Sequence, residues 1–435
     1  MKLDCDVEED LLNISKLNYS SRLAELLPSA RITSLAISES YVILGTNISD
    51  VLVFAQSEFK HCGTISNSKE NGDVSSIAIS NDERRLLIGF GKGRVLMYDL
   101  DTLKQLRKLP SDCHAIASSR VQLVSFISEQ NIQGVCADSS SVTLLEFTKI
   151  ITKRSTDVFQ LVKGEMINPP RVFQSYDPAS PLYRRPLMAV ITPQKLIARP
   201  ITKALEHPDY ELSFPHLTRH HNALYTSWHL GSEGDPELIL GHNQQITIFR
   251  FAKFSQWLVV RSIQLDEIVS FVSIVPQTSL KLVLASPDCT PPYKIYIYDD
   301  DSPTAIYNKT CEEIIALKPF GPYLTSGNIL FQDNRGDILS VRMRDWNERI
   351  VKIKSQYSIK EAVKFVLSIS DGQIKAGLQI TVLMSIITRI IYFCEPKKGR
   401  YRTGRWVQGF SQYQICARQI TPKTYSQRTN KLPKR

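Results

Sequence analysis

The chain has 435 residues, 43% of them hydrophobic, and a formal net charge of +10. That length can bury a large core and hold two or more domains, and the hydrophobic share is ordinary for a soluble globular protein. The charge is local: residues 395–435 carry eleven Lys and Arg against one acid, Glu395, leaving 42 of each sign in the rest. A neutral body with a basic tail argues against reading the whole protein as a nucleic-acid binder; the tail is read as a solvated segment, with acidic lipid or RNA as its alternative ligands.

In chain order, residues 1–30 form an acidic N-terminal segment. Residues 5–28 are expected as a short helix and a loop, with Leu11, Leu12, Leu23, Leu26 and Leu27 free to pack on a rim. Residues 31–98 then repeat themselves. Ser-Leu-Ala-Ile-Ser at 34–38 returns as Ser-Ile-Ala-Ile-Ser at 76–80, Ile-Leu-Gly at 43–45 as Leu-Ile-Gly at 87–89, and Val-Leu-Val-Phe at 51–54 as Val-Leu-Met-Tyr at 95–98. A period of roughly 40 to 45 residues with about four short strands is the blade of a β-propeller.

Strand-like runs continue to Met343. The first blade takes 32–38, 41–45 and 51–55, and the second takes 74–80, 86–90, 95–100 and 106–109. A third is placed at 123–127, 134–137 and 142–147, a fourth at 187–192 and 196–201, and a fifth at 238–241, 246–251 and 257–263. A sixth falls at 269–275, 281–285 and 294–298, and the last at 314–317, 328–331 and 338–343. Residues 31–343 therefore predict an all-β propeller of about seven WD-like blades, with six or eight left open because the middle blades are degenerate.

The period changes at Arg344. Trp346, Ile350 and Ile353 share one helix face, and Ser358 with Glu361 forms a capping box ahead of Ala362, Val363, Val366 and Leu367. Residues 344–378 are expected as a short α-helical hairpin, helices at 345–355 and 359–369, opening an α-solenoid. Residues 379–435 are apolar, then basic, and are expected to be disordered. The weakly apolar stretch 376–394 makes a poor membrane span.

Eight cysteines lie at 5, 62, 113, 136, 289, 311, 394 and 416 without a Cys-x-x-Cys pair. This spacing favours a reduced, cytosolic chain over a disulfide framework or zinc ribbon. Met-Lys-Leu-Asp-Cys-Asp-Val-Glu-Glu-Asp at the start lacks an apolar h-region, so no signal peptide is expected. The sequons at Asn13, Asn18, Asn47 and Asn308 are then expected to be chance matches.

Three motifs imitate chemistry. Gly89-Phe-Gly-Lys-Gly-Arg94 looks like a phosphate loop, but a strand, Val95–Tyr98, follows it where a helix start is needed. It is read as a tight turn. His216, His220 and His221 sit in a Pro-containing loop without a further ligand set, and Asp299–Asp301 lacks the calcium-loop spacing. No serine-hydrolase, kinase or P-loop signature is present. No catalytic, cofactor-binding or metal-ligating residue is singled out, and the chain is expected not to be an enzyme. A central-channel active site would need converging His or carboxylate groups, which the inner strands Ser-Leu-Ala-Ile-Ser and Ser-Ile-Ala-Ile-Ser do not offer.

Three segments carry a resemblance. They are Arg84–Leu109 (RRLLIGFGKGRVLMYDLDTLKQLRKL), Ser141–Glu165 (SVTLLEFTKIITKRSTDVFQLVKGE) and Arg342–Ala376 (RMRDWNERIVKIKSQYSIKEAVKFVLSISDGQIKA). In the last, Trp346, Arg349, Glu361, Ala362, Gly372, Lys375 and Ala376 fall at matching places. Together they resemble the vacuolar protein sorting-associated protein 8 family over roughly residues 30–378, with 166–310 alike in character only. The family continues as an α-solenoid and ends in a RING-type zinc domain; this chain leaves the pattern near Gln379, so it resembles a truncated, N-terminal propeller part. The resemblance implies a non-enzymatic scaffold of the endosomal tethering complex CORVET. It implies transport to the vacuole or lysosome, partners among CORVET or HOPS-type subunits, an endosomal Rab GTPase bound through the propeller, and a cytoplasmic protein peripheral on endosomes. It implies no cofactor and no nucleic acid. Another propeller–solenoid trafficking subunit, HOPS-like, coat or autophagy-linked, is the alternative.

Overall fold

Every blade but the last is built from four consecutive strands, and the reason lies in where each strand's side chains go. The computed structural model describes residues 12–344 and 348, apart from 18, 110–117, 128–132, 151–152, 167–169, 174–185, 202–209, 214–223, 231–234, 253–255, 275–279, 289–291, 299–306, 312–317, 324–327 and 333–337. The chain opens with β1 (Leu12–Leu17) and α1 (Tyr19–Leu26). Blade 1 is β2 (Ile32–Ile37), β3 (Tyr41–Thr46), β4 (Val51–Ala55) and β5 (Lys60–Ile65). Blade 2 is β6 (Val74–Ile79), β7 (Arg85–Phe90), β8 (Val95–Asp99) and β9 (Gln105–Lys108). Blade 3 is β10 (Leu123–Phe126), β11 (Gln133–Ala137), β12 (Ser141–Ile150) and β13 (Lys153–Lys163). Blade 4 is β14 (Arg171–Phe173), β15 (Leu187–Ile191), β16 (Lys195–Pro200) and β17 (Tyr210–Ser213). Blade 5 is β18 (Leu224–Leu230), β19 (Pro236–His242), β20 (Gln245–Ala252) and β21 (Gln256–Gln264). Blade 6 is β22 (Ile268–Ile274), β23 (Lys281–Ser286), β24 (Tyr293–Tyr298) and β25 (Tyr307–Cys311). Blade 7 is β26 (Lys318–Tyr323), β27 (Asn328–Gln332), β28 (Ile338–Met343) and, outermost, β1. All the ladders are antiparallel, and the described residues hold seven four-stranded sheets, which settles the blade number.

The second and third strands lie between neighbouring blades and are buried on both faces. That is why they read as unbroken apolar runs, such as Val42-Ile43-Leu44 and Val51-Leu52-Val53-Phe54, and not as alternating ones. The core is accordingly divided among blade–blade seams. Ile43, Val51 and Val53 of blade 1 meet Val74, Leu86 and Ile88 of blade 2, and Leu87, Val95 and Met97 meet Val121, Val124 and Cys136 of blade 3. Small residues let the seams close. A Cβ on Gly241 would lie 2.6 Å from Val269 Cγ1 in the next blade, and Gly45 and Gly89 stand equally tight against Val74 and Val121.

Two expectations change. Residues 12–17, expected within a helix and loop outside the propeller, form a strand of the last blade, with Leu12 opposite Met343 and Leu17 opposite Ile338. A ring needs its last sheet sealed, and pairing the N-terminal strand with the C-terminal one does this without leaving an unpaired end. The inner strand of that blade is Lys318–Tyr323, and the strand expected at 314–317 lies outside the described residues. The helix is real but shorter: α1 buries Leu23 among Leu35, Leu44, Leu52 and Phe54, while Leu26 stays exposed. Tyr19 stacks on Phe59 at 4.7 Å, and Phe59 on Phe54 at 4.5 Å. The helical hairpin at 344–378 and the tail at 379–435 lie outside the described residues, save Arg344 and Glu348.

Candidate interaction surfaces

The central amides of the glycine loop at 89–94 are bonded within the fold and are not offered to a phosphate. Gly91 N–H donates to Asp73 O at 2.8 Å, Lys92 N–H to Asn71 O at 3.0 Å and Gly93 N–H to Phe90 O at 3.1 Å. Arg94 O accepts from Phe90 N–H at 2.9 Å, closing the turn between β7 and β8. Gly93 takes φ 79°, and a Cβ there would come 2.9 Å from Ser119 O. The glycines serve close backbone approach between blades.

The same device recurs one blade earlier. Thr46 N–H donates to Asp50 O and Asn47 N–H to Arg31 O, each at 3.0 Å, and Ser49 takes φ 74° where blade 2 has Gly93. Ser49 Oγ reaches forward to Gly72 O at 2.5 Å. Asn67 links the belt again, donating to Ser49 O at 3.3 Å and accepting from Tyr98 OH at 2.7 Å. Between blades 2 and 3, Arg120 grips Asp73 through both carboxylate oxygens, at 2.9 and 2.7 Å. Over blades 1 to 3 this face is hydrogen-bonded from blade to blade.

Around Tyr41 the turns of blades 1 and 2 are acidic. Glu83 accepts from Ser40 N–H at 3.0 Å, and Asp82 from Ser80 Oγ at 2.6 Å and Arg84 N–H at 3.2 Å. Burial pushes both carboxyls up, but these hydrogen bonds prevail and hold them below the usual carboxylate range. Burial, with Asp101 and Glu83 nearby, raises the Tyr41 phenol.

In blade 3, the first described residue of β11, Gln133, stands opposite Glu146, and the β12–β13 ladder runs on to Ile150 opposite Lys153. Arg107 of blade 2 holds its base, donating to Thr148 O at 2.9 Å and to Ser155 O, with its guanidinium 5.7 Å from the Phe147 ring centre. In blade 6, Glu267 accepts from Lys294 Nζ and Tyr296 OH. Against its desolvation, those two donors hold the carboxyl down. Burial and the bond to Glu267 raise Tyr296, and burial with Glu267 and Asp266 pushes Tyr298 up to about 12 against the opposing Arg261.

Among the described residues no group of three His, Cys, Asp or Glu side chains is placed to hold a metal, and no helix is long and apolar enough to cross a membrane. His216, His220, His221 and Asp299–Asp301 lie outside the described residues. Of the three motifs that imitate chemistry, the glycine loop alone lies among the described residues, and its central amides bond within the fold.

Comparison with known proteins gives the family. A family model of the Vps8 β-propeller matches residues 17–279, more than half of the chain. The mouse protein named vacuolar protein sorting-associated protein 8 homolog is 32% identical over 140 residues, covering 31% of this chain and 10% of that protein. The human homolog is 31% identical over 142 residues with the same coverage, so the match spans a tenth of these relatives' length. Among solved structures, the β-propeller domain of Cps50 (Swd1) from Myceliophteria thermophila superposes with TM-score 0.52 at 13% identity, over 76% of this chain and 99% of that one. A chain of the mitotic checkpoint complex does so with TM-score 0.51 at 14% identity, over 78% and 93%. At such identities these likenesses speak for the propeller fold alone. The family match covers blades 1 to 5 and reaches into blade 6, and the chain belongs to the Vps8 β-propeller family.

Proposed function

We propose that this chain is a non-enzymatic scaffold of an endosomal tethering assembly of the CORVET type, engaging an endosomal Rab GTPase through one propeller face. The observation that carries the reading is the family match over residues 17–279. The blade-to-blade hydrogen bonds over blades 1 to 3 support it, since loops fixed on a scaffold suit protein docking. The bonded amides of Gly91, Lys92 and Gly93 support a structural role for that motif. With 42 basic and 42 acidic groups outside the tail, the body steers partners weakly, so affinity must come from apolar and hydrogen-bonding contacts. On this reading the protein is cytoplasmic and peripheral on endosomes.

The test is a pull-down of the full chain with endosomal Rab loaded with GTP or GDP, beside co-purification with the other tethering subunits. Retention by the GTP form above the GDP form is expected. Equal retention, or none, overturns the Rab assignment.

A further inference from the structure

The even balance of charge outside the tail hides a separation by face over blades 1 to 3. One face carries the turns that open the third strands, 47–50 and 91–94, with the linkers 30–31, 66–73 and 118–122 between blades. Among the described residues of those segments Arg31, Lys69, Lys92, Arg94 and Arg120 are exposed, against one exposed acid, Glu70. The opposite face carries the turns 38–40, 56–59, 80–84 and 100–104. These expose Glu39, Glu58, Asp82 and Asp101 against Arg84 and Lys104. The chain enters and leaves the propeller at that opposite face, because β28 is a third strand and its last residue, Met343, pairs with Leu12.

The five bases belong to one connected band. Arg31 O accepts from Asn47 N–H at 3.0 Å, Ser49 Oγ donates to Gly72 O at 2.5 Å, and Lys92 N–H donates to Asn71 O at 3.0 Å. Arg120 then clasps Asp73 at 2.9 and 2.7 Å. The two half-buried acids of the band are engaged within it, Asp73 by Arg120 and Asp50 by Asn67 N–H at 3.3 Å.

Composition selects the ligand. Protein interfaces are anchored by buried aromatic and apolar side chains, and single-stranded nucleic acid by aromatic stacking. The described residues of the band include no aromatic residue, and Ile48 is half-buried. A bilayer surface of acidic lipid needs neither kind of anchor, since its attraction adds up from every base held near it. We propose that the basic face of blades 1 to 3 docks the propeller on a membrane surface of acidic phospholipid through Arg31, Lys69, Lys92, Arg94 and Arg120. This contact is separate from the Rab assignment, and its test involves no GTPase.

The full chain would be sedimented with phosphatidylcholine vesicles made with and without phosphatidylserine. Lys69→Gln/Lys92→Gln/Arg94→Gln is compared with Lys60→Gln/Arg84→Gln/Lys104→Gln, which removes the same charge away from the band; both keep the basic tail. Wild type is expected to bind only the vesicles with phosphatidylserine, and less as salt rises. The first variant should bind about a hundredfold more weakly, at about fivefold per base, and the second as wild type does. All six side chains are exposed, so both variants should keep the wild-type thermal unfolding midpoint, which is measured alongside. If the first variant loses stability, Lys69→Gln alone is expected to weaken binding about fivefold. Equal weakening by the two triple variants, or none by the first, overturns the proposal, since the tail or the overall charge would then carry the binding. Failure of wild type to bind overturns it too. So does tighter retention on polyuridylate or polyglutamate than on the vesicles, lost in the first variant, because the partner would then be nucleic acid or acidic protein.

Discussion

Leu17 lies directly opposite Ile338 in an antiparallel ladder, so the two ends of the propeller are sealed strand to strand. Leu12, at the other end of that ladder, is buried at 2% exposure. Leu12→Ala is expected to cost about 2–5 kcal/mol, the range for large-to-small changes in a core. Removal of residues 1–17 should cost more, because it exposes the edge of β28. Denaturant unfolding checks the first, and faster amide exchange across Ile338–Met343 checks the second.

Gly241 faces the next blade with no room for a side chain: a Cβ would meet Val269 Cγ1 at 2.6 Å and Val272 Cγ1 at 3.3 Å. Gly241→Ala is expected to destabilise by about 1–3 kcal/mol through overpacking. Gly63 offers a contrast, since its added Cβ would meet only the end of the Leu103 side chain, which can turn away. Gly63→Ala should therefore shift the urea midpoint less than Gly241→Ala.

The first two blades were legible because their middle strands are sandwiched and therefore wholly apolar, so Ile43-Leu44-Gly45 and Leu87-Ile88-Gly89 repeat visibly. The outer strand Lys60–Ile65 was missed because one of its edges meets solvent and its exposed Lys60, His61 and Cys62 resemble a loop. Leu12–Leu17 gave no local strand signal, since its partner lies at the far end of the propeller. The exposed run Leu258-Val259-Val260 in β21 was visible as an outer strand at 257–263, but its exposure depends on the bulge at Val260, which only the register with β20 reveals. The Glu267–Lys294–Tyr296 cluster joins the bend residue just before β22 to two residues of β24 and carries no spacing signature.

Ser49 holds φ 74° and donates to Gly72 O at 2.5 Å, at the position where blade 2 uses Gly93. Ser49→Ala keeps the strained backbone and loses the bond, and should cost about 0.5–1.5 kcal/mol. Ser49→Gly loses the same bond but relieves the left-handed strain. The glycine variant should thus be more stable than the alanine variant, as read from paired thermal unfolding curves. The reverse order would show that the bond and the φ angle are not the controlling terms.

Glu267 sets the expected acid sensitivity. Its carboxyl is desolvated, yet the hydrogen bonds from Lys294 and Tyr296 hold its folded pKa below the ordinary value. A depressed folded pKa means that the stabilisation is complete above the unfolded carboxylate value, about 4.3, and is lost as pH falls through the lower folded value. Wild-type unfolding free energy should therefore drop on acidification below about pH 4.3 more steeply than that of Glu267→Gln. At neutral pH Glu267→Gln should be destabilised by about 1.5–3 kcal/mol, the range for hydrogen bonds to a charged group, and the two curves should converge in acid. On the alkaline side the direction reverses: Tyr298 is held protonated up to about 12, so stability is lost as pH rises from the free phenol range toward that value. Phenolate absorbance followed through the alkaline titration should show Tyr298 ionising late in the folded chain and at the ordinary phenol pH once the chain is unfolded.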